Sequence, residues 1–394
     1  MTGLFCKTRR NQNNEIRQSE LILLTLKSDK MKKKILRVVL YSVCGLLVIS
    51  LGLLVKLWIK SPGTADPITY SNGKVIPGSI SVIEKVKLGG QEQYLIIRGE
   101  DRNNPVMLFL HGGPGSPEFT FMKKTNRAIE KNFVMVYWEQ RGAGKSYSKE
   151  IPVESMNLPQ FISDTRELSM LLAKRFKKDK IYLMGHSWGS LLGILTAYKY
   201  PELYYAYFGI GQVCSQYRGE KISFEWVKEQ ARKENKTKAI ESLSKLTFPD
   251  SLAGMNIWSK YILSERNYVS QFGGGVTHQM RSMLPLVKIV LNAKEYTLSD
   301  KMRFMKASMF SLNYLWPAVI QKNLFNDIDS MRIPVYIFQG MYDNQTPYVV
   351  AKDFFNQLKA PKKEFFTFEN SAHSPVMEEA AKFNSIVMKK TRLE

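Results

Sequence analysis

From Val38 to Val55 the chain reads VVLYSVCGLLVISLGLLV, 18 residues without a charge. A run of that length must either be buried whole in protein or lie in lipid. As a helix it covers roughly 27 Å, which with its flanks spans a hydrocarbon core of about 30 Å. Lys27, Lys30, Lys32, Lys33, Lys34 and Arg37 precede it, whereas only Lys56 and Lys60 follow. The positive-inside rule then puts residues 1–37 in the cytoplasm as a basic tail and everything past Lys60 outside. Trp58 would sit in the far interface. An uncleaved anchor over 38–59 is therefore expected. A cleaved signal peptide competes, but its apolar region usually has about 7–15 residues and ends in an A-x-A-like site. None precedes Ser61, and Tyr41-Ser42-Val43 ahead of Cys44 fits a lipoprotein box poorly. A buried helix is the third reading. Met31-Lys32-Lys33-Lys34 looks like a natural start of a signal, and the residues before it read as a disordered tail or as the product of an upstream start site.

Charge divides along the same line. The 394-residue chain carries 57 Lys+Arg against 35 Asp+Glu, a net +22, of which residues 1–60 hold 12 basic and 3 acidic. Residues 61–394 keep 45 and 32, or +13, enough to attract polyanions but silent about fold. An apolar share of 44% supplies a full core and excludes disordered or collagen-like chains. Cys6, Cys44 and Cys214 have no metal-ligand spacing, and only Cys214 follows the apolar run, so no intrachain disulfide is expected there. With four scattered histidines and no HExxH, the chain is expected to use neither metal nor cofactor.

After a polar linker (60–74), strand and helix signals alternate. Ser81–Leu88 and Gln93–Arg98 are short β-rich stretches, and Val106–Leu110 and Phe133–Trp138 are uninterrupted apolar runs of the kind buried on both faces of a parallel sheet. Pro159–Phe176 is amphipathic, Ile181–Met184 is again strand-like, and Ser187–Tyr200 is a helix stopped by Pro201. Tyr205–Ile210 and Val335–Gln339 resume the strand pattern. The expected fold is an open, mostly parallel α/β sheet with helices on both faces. Its core would comprise residues 75–211 and 326–394, interrupted by a helical segment over 212–325.

Four motifs fall at strand ends. Gly185-His186-Ser187-Trp188-Gly189 is a G-x-S-x-G between a strand and a helix, where a strained turn projects the serine hydroxyl and the flanking glycines relieve crowding. The alternative is a Gly-rich turn with a capping serine. His111-Gly112-Gly113-Pro114-Gly115 follows Val106–Leu110, and such a backbone can turn N–H groups towards a substrate oxygen. An oxyanion hole would need one such N–H from this loop and a second from the residue after the serine, Trp188. His111 precedes the serine and is not the expected base. Asp343 in QGMYDNQTP and His373 in ENSAHSP complete the order Ser187, Asp343, His373. Serine needs an imidazole to take its proton and a carboxylate to fix that imidazole. Asp327 and Asp329 precede the last strand and lie on the wrong side of the sheet; His186 is expected to point away, and His278 to lie in a helical stretch. Arg141–Ser146 ends in GKS, but a phosphate-binding loop also needs glycine where Glu139 stands.

HGGPG, WEQRGAGKS (Trp138–Ser146), GHSWGS (Gly185–Ser190), Asp343 and His373 together resemble the proline iminopeptidase family of α/β-hydrolase serine peptidases over roughly residues 75–394. The resemblance implies an α/β-hydrolase fold with a helical cap, a triad of Ser187, Asp343 and His373, and an oxyanion hole of Gly113, or Gly112, and Trp188. Glu139 replaces the usual Asp of its loop, Ser116 and Pro117 follow HGGPG, and His186 stands where prolyl-specific members have Gly. These departures weaken a proline-specific reading. The cap, 212–325, carries 17 basic and 9 acidic residues. Its Phe224, Trp226, Trp258, Tyr261, Met280, Met283, Phe304, Met305, Phe310 and Trp316 are expected mostly as its own core, with some lining an apolar pocket. An aminopeptidase must bind an α-ammonium group, for which Glu225 and Glu229 on one helix face, with Glu234, are candidates; a solvated row is the simpler reading.

The expected activity is metal-free amide hydrolysis through an acyl-enzyme, aminopeptidase-like, on small peptides. A carboxylesterase or lipase acting on lipophilic esters is the alternative. Dehalogenase or epoxide hydrolase chemistry would need aspartate at 187. A silent hydrolase fold used for binding, or nucleic-acid binding through the +13 segment, fits less well. The only expected partner besides substrate is the membrane.

Overall fold

The apolar run lies inside one helix, α1 (Gly3–Ile59). Within it Lys30–Ile59 is long and apolar enough to cross a membrane, a test that a signal sequence also passes. Residues ahead of the run, expected as a disordered tail, are helical as well. The computed structural model describes residues 3–280 and 284–391. The chain up to Lys60 forms one unit, and the second begins at Ser61.

The second unit opens with β1 (Ile80–Leu88), β2 (Gln91–Gly99) and β3 (Val106–Leu110), then α2 (Phe119–Thr125) and β4 (Val134–Glu139). Next come α3 (Leu158–Arg175), β5 (Ile181–His186), α4 (Trp188–Lys199) and β6 (Tyr204–Ile210). Between β6 and the next strand lie α5 (Gln216–Lys233), α6 (Thr237–Ser244), α7 (Met255–Gln271), α8 (Leu284–Asn292), α9 (Leu298–Gln321) and the single turn α10 (Leu324–Asp327). The chain closes with β7 (Val335–Gly340), α11 (Tyr348–Gln357), β8 (Lys363–Phe368), α12 (Pro375–Glu378) and α13 (Ala380–Lys390). All eight strands form one sheet in the order β1-β2-β4-β3-β5-β6-β7-β8, parallel from β4 to β8 and antiparallel where β2 meets β1 and β4. This is the α/β-hydrolase architecture.

The period of two along each strand divides the core between the sheet's faces. Val106, Leu108 and Leu110 of β3 join Val134, Val136 and Trp138 of β4, beneath Phe161 and Leu168 of α3, Leu191 of α4 and Phe354 of α11. Met107, Phe109, Met135 and Tyr137 face the other way, towards Phe119 and Met122 of α2 and Phe383 and Val387 of α13. Uninterrupted apolar runs are what such a two-sided core requires. β8 had no sequence expectation. It is an edge strand, opens with Lys363 and Glu364, and leaves five of its six residues only half-buried.

Winding reverses at β3, which has β4 on one side and β5 on the other. Such a reversal opens a crevice at the strands' carboxyl ends. Leu110 pairs with Gly185, so the loops after β3 and β5 start side by side.

A third loop follows β4 and ties the insertion to the sheet. Arg141 sits buried against the Asp164 carboxylate of α3 at 2.9 Å and also donates to the carbonyls of Leu88 and Gly89. Lys145, from the GKS sequence, donates to Asp300 Oδ2 at 2.7 Å and to the Glu295 carbonyl at 2.9 Å, holding the start of α9. The loop therefore serves an ion pair in place of a phosphate. Glu139 accepts hydrogen bonds from the Tyr296 hydroxyl and the Lys145 N–H. Gly144, at φ +47°, has to be glycine, because a Cβ there would meet the Glu139 carboxylate.

Burial pushes the Glu139 carboxyl up from 4.5 to about 7, despite the bonds from Tyr296 and Lys145. A folded pKa above the unfolded one means that the folded chain holds this proton more tightly. The contribution, about 3 kcal/mol at most, is full below about pH 4.5 and is lost as pH rises through 7. We expect Glu139→Gln to remove this slope, so that the variant's urea midpoint gains on wild type between pH 5 and 8. Parallel midpoint profiles would show that Glu139 is ionised throughout.

Candidate active site

Ser187 occupies the turn between β5 and α4 with φ 55° and ψ −122°, a backbone state that costs of order 1–3 kcal/mol for a residue with a side chain. The neighbouring glycines make it possible. A Cβ on Gly185 would lie 2.1 Å from the Gly189 carbonyl oxygen, and one on Gly189 would lie 2.1 Å from the Leu110 carbonyl oxygen. β5, α4 and β3 thus approach too closely for any side chain at either position. The Ser187 hydroxyl forms no hydrogen bond to a described residue and lies in the floor of a cavity, at the N-terminus of α4 where the helix dipole favours negative charge.

Asp343 stands just past β7 and His373 just past β8, both buried. His373 Nδ1 donates to Asp343 Oδ2 at 2.9 Å, leaving Nε2 as the nitrogen that carries the lone pair in the neutral ring. The carboxylate is itself held fast. Oδ1 accepts the N–H groups of Gln345 and Thr346 at 2.9 Å, and Oδ2 accepts Gln339 Nε2 at 2.7 Å and the Thr346 hydroxyl at 2.8 Å. The imidazole packs on Gly211, which follows β6, where a Cβ would stand 2.9 Å from the ring. Ser187 N–H donates to Ile210 at 2.9 Å, so serine and imidazole share the same strand end as a floor. No hydrogen bond joins Ser187 to His373.

The glycine loop distinguishes its two candidates. Gly112 N–H is taken by Glu118 Oε1 at 3.2 Å, whereas the backbone N–H groups of Gly113 and Trp188 donate to no described residue. Gly113, Trp188 and Ser187 all line the cavity. Two free N–H donors beside a projecting hydroxyl can stabilise an oxyanion.

Sequence reasoning overlooked Glu118. Its carboxylate also meets His186 Nδ1 at 2.7 Å, and His186 Nε2 donates to the His373 carbonyl at 2.9 Å. Burial alone would depress the His186 imidazole, but the Glu118 carboxylate outweighs it and raises the pKa above its ordinary value. His186 therefore props the loop that carries His373, and no motif around Glu118 signals this. His111, also buried, receives the Gln140 N–H at 3.3 Å, while Gln140 Oε1 accepts Trp188 Nε1 at 2.8 Å; this histidine is structural. His278 lies in the loop between α7 and α8, stacked on Tyr342 at 3.7 Å, not in a helix as expected. Asp327 pairs with Lys322 at 3.2 Å.

The helical insertion roofs a cavity of about 760 Å³. α9 latches onto both loops beneath it, through Ser308 Oγ to the Gly115 carbonyl at 2.7 Å and Ser311 Oγ to the Gly142 carbonyl at 3.0 Å. Ile262, Val276, Leu312 and Trp316 make much of the wall apolar, and Arg266, Gln216, Asn267, Gln271 and Gln345 are among its polar members. Phe224, Trp258, Tyr261 and Trp316 pack edge-on as the insertion's own core. Met305 is exposed and lines the cavity, as the expectation allowed for some of these residues. Met283 lies outside the described residues.

Glu225 and Glu229, candidates for the ammonium ligands, form a solvated row, the simpler reading of their spacing, and are not ammonium ligands. They are 68% and 57% exposed, pair with Lys228 and Lys233, and do not line the cavity. Helix spacing set them on a common face of α5, and that face is the solvent side. Glu234 is likewise at the surface, 3.9 Å from Lys236. On α5 and α7 the buried carboxylates are Glu220 and Glu265, both paired to Arg266. Among the described residues no group of three His, Cys, Asp or Glu side chains is placed to hold a metal ion.

Residues 102–242 match the family model for serine aminopeptidases, S33. The chain is 34% identical over 316 residues to a probable aminopeptidase, YbaC, of Bacillus subtilis, covering 80% of this chain and 97% of that one. It is 25% identical over 305 residues to a proline iminopeptidase of Clostridium botulinum, covering 75% and 92%. The crystal structure of a proline iminopeptidase from Mycobacterium smegmatis shares the fold, with a TM-score of 0.57 at 14% identity over 78% of this chain and 97% of that one. The sheet order, the strained serine turn and these likenesses agree: the chain belongs to the S33 serine aminopeptidase family of α/β-hydrolases and is an aminopeptidase-like hydrolase.

Proposed function

We propose that the protein hydrolyses amide bonds at the N-terminus of short peptides through an acyl-enzyme on Ser187. The observation that carries this reading is the serine itself, held at positive φ in the cavity floor between two unpartnered N–H groups. His373 Nε2 takes the hydroxyl proton as Oγ attacks the carbonyl carbon, and Asp343 stabilises the imidazolium. Gly113 and Trp188 N–H groups receive the oxyanion. The amide C–N bond then breaks, His373 returns the proton to the leaving amine, and water repeats the sequence on the ester. A fluorophosphonate should label the wild-type chain and not Ser187→Ala, and Asp343→Asn should lower turnover about 10⁴-fold. Labelling of both chains would overturn the nucleophile.

Recognition of a free α-ammonium needs surplus negative charge near the cavity. Glu220 and Glu265 share a single guanidinium, and Glu220 Oε2 is buried without a hydrogen-bond partner. Arg266 and Gln216, which both bond to Glu220, line the cavity, so that surplus stands one side chain behind its wall. Glu220→Gln should raise KM for aminoacyl amides about tenfold and leave N-acylated substrates unaffected. An equal effect on both would assign the cluster to structure alone. The apolar wall supports the second reading, an esterase of lipophilic esters, which an excess of p-nitrophenyl ester over aminoacyl-amide turnover would favour.

The excess of Lys and Arg ahead of the apolar helix supports an uncleaved anchor with the catalytic unit outside the cytoplasm. The chain should stay in the membrane pellet after carbonate extraction; release into the supernatant would contradict this.

A further inference from the structure

The mouth of the cavity is bordered by exposed apolar side chains. Leu263 on α7, Leu284 on α8, and Met302 and Met305 on α9 are 67–75% exposed. Leu284, Val287 and Leu291 follow helical spacing along α8; Met302, Met305, Met309 and Leu312 do so along α9. Each row starts in solvent or at the rim and continues into the wall, since Leu284, Val287, Met305, Met309 and Leu312 all line the cavity.

The ionic groups that α7, α8 and α9 expose are basic; Asp66, paired with Lys294 at 3.3 Å, is the carboxylate beside them. The only carboxylates on α7, α8 and α9 are Glu265 and Asp300, buried against Arg266 and Lys145. The exposed ionic groups on these helices include Lys260, Lys288 and Lys306. An apolar band flanked by lysines matches the interface of an anionic bilayer, with aliphatic groups among the acyl chains and ammonium groups at the phosphates.

Connectivity supplies an independent argument. Ser61, one residue after Lys60, is buried, and its hydroxyl accepts a hydrogen bond from Lys301 Nζ on α9 at 2.8 Å. Pro62 bridges Thr297, and the N–H groups of Gly63 and Thr64 donate to the Lys294 carbonyl. The chain leaving the apolar helix at Ile59 is thus pinned at once to the α8–α9 corner. Two residues reach at most about 7 Å, whatever angle the two units adopt. A membrane span ending there would keep this corner at the lipid surface.

We propose that the rim formed by α7, α8 and α9 seats on an anionic lipid bilayer, so that the cavity opens onto the membrane and takes substrates dissolved in it. The proposal rests on the anchor reading and is independent of which bond Ser187 cleaves. It defines the substrate class by its apolar portion, an acyl or side chain long enough to partition into lipid.

The test uses the full chain in vesicles containing about one-third anionic lipid, with Cys6→Ser, Cys44→Ser and Cys214→Ala. Nitroxide labels are placed at Leu284→Cys or Met302→Cys, and at Asn103→Cys ahead of β3 as the control far from the rim. Rim labels should be relaxed by oxygen more than by a water-soluble nickel chelate, and the control label should show the reverse. Equal nickel access at rim and control would overturn the proposal, and so would spin–spin broadening between two rim labels, which would mean a second copy covers the face. As a second readout, Met302→Glu with Leu291→Glu, both outside the cavity lining, should slow a long-chain ester presented in vesicles roughly tenfold and leave soluble p-nitrophenyl acetate unchanged. Equal slowing of both substrates would count against docking. Carbonate extraction and fluorophosphonate labelling of the same samples report separately on the anchor and the nucleophile.

Discussion

Three backbone segments meet around Ser187 with no room for a side chain. β5 turns into α4 through a positive-φ serine only because Gly185 and Gly189 let the helix lie against β5 and against the end of β3. That close approach aims the hydroxyl into the cavity and puts two backbone N–H groups beside it. It also brings the glycine loop within reach of the serine, since a Cβ on Gly112 would stand 3.0 Å from Ser187 Cβ. Everything else at the site is arranged about this turn. β6 offers Ile210 to the Ser187 N–H and Gly211 to the His373 ring, and β7 and β8 deliver the carboxylate and the imidazole from the far side.

Around this rigid floor the polar groups hold loops in place. Glu118 and His186 link the glycine loop to the loop bearing His373, while Gln140 links His111 to Trp188. The loop after β4 reaches upward to α9 through Lys145 and downward to α3 through Arg141. The roof is thus fastened to the same loops that shape the floor, so cavity and hydroxyl are positioned together. Such buried charges persist because each finds a partner, and removing one partner strands the other at a cost of about 3–5 kcal/mol.

Much of the fold was legible because strands buried on both faces leave uninterrupted apolar runs. Each apolar run read as a strand forms one, as do the two β-rich stretches ahead of them. β8 was not legible: an edge strand opening with Lys363 and Glu364 has no such run, although it is what delivers His373. At the site, residues defined by local backbone demands were visible, above all Ser187 between its glycines. Residues defined by contacts across the sheet were not. Glu118 lies 68 residues from His186, and Glu220 lies 46 from Arg266, so no local pattern records either pair.

The sequence by itself determined the strand–turn–helix signature, the order Ser187, Asp343, His373, and an apolar run long enough to span a membrane ahead of an α/β unit. Each of these is written in neighbouring residues or in chain order, where the physics is local. Tertiary structure alone decided which face of α5 is buried, and so left Glu225 and Glu229 in solvent and hid Glu220 against Arg266 beside Glu265. It also turned the GKS lysine into a brace for α9 and left Met305 exposed at the cavity mouth. Helical periodicity states which residues share a face. Only packing against the rest of the chain states what that face meets.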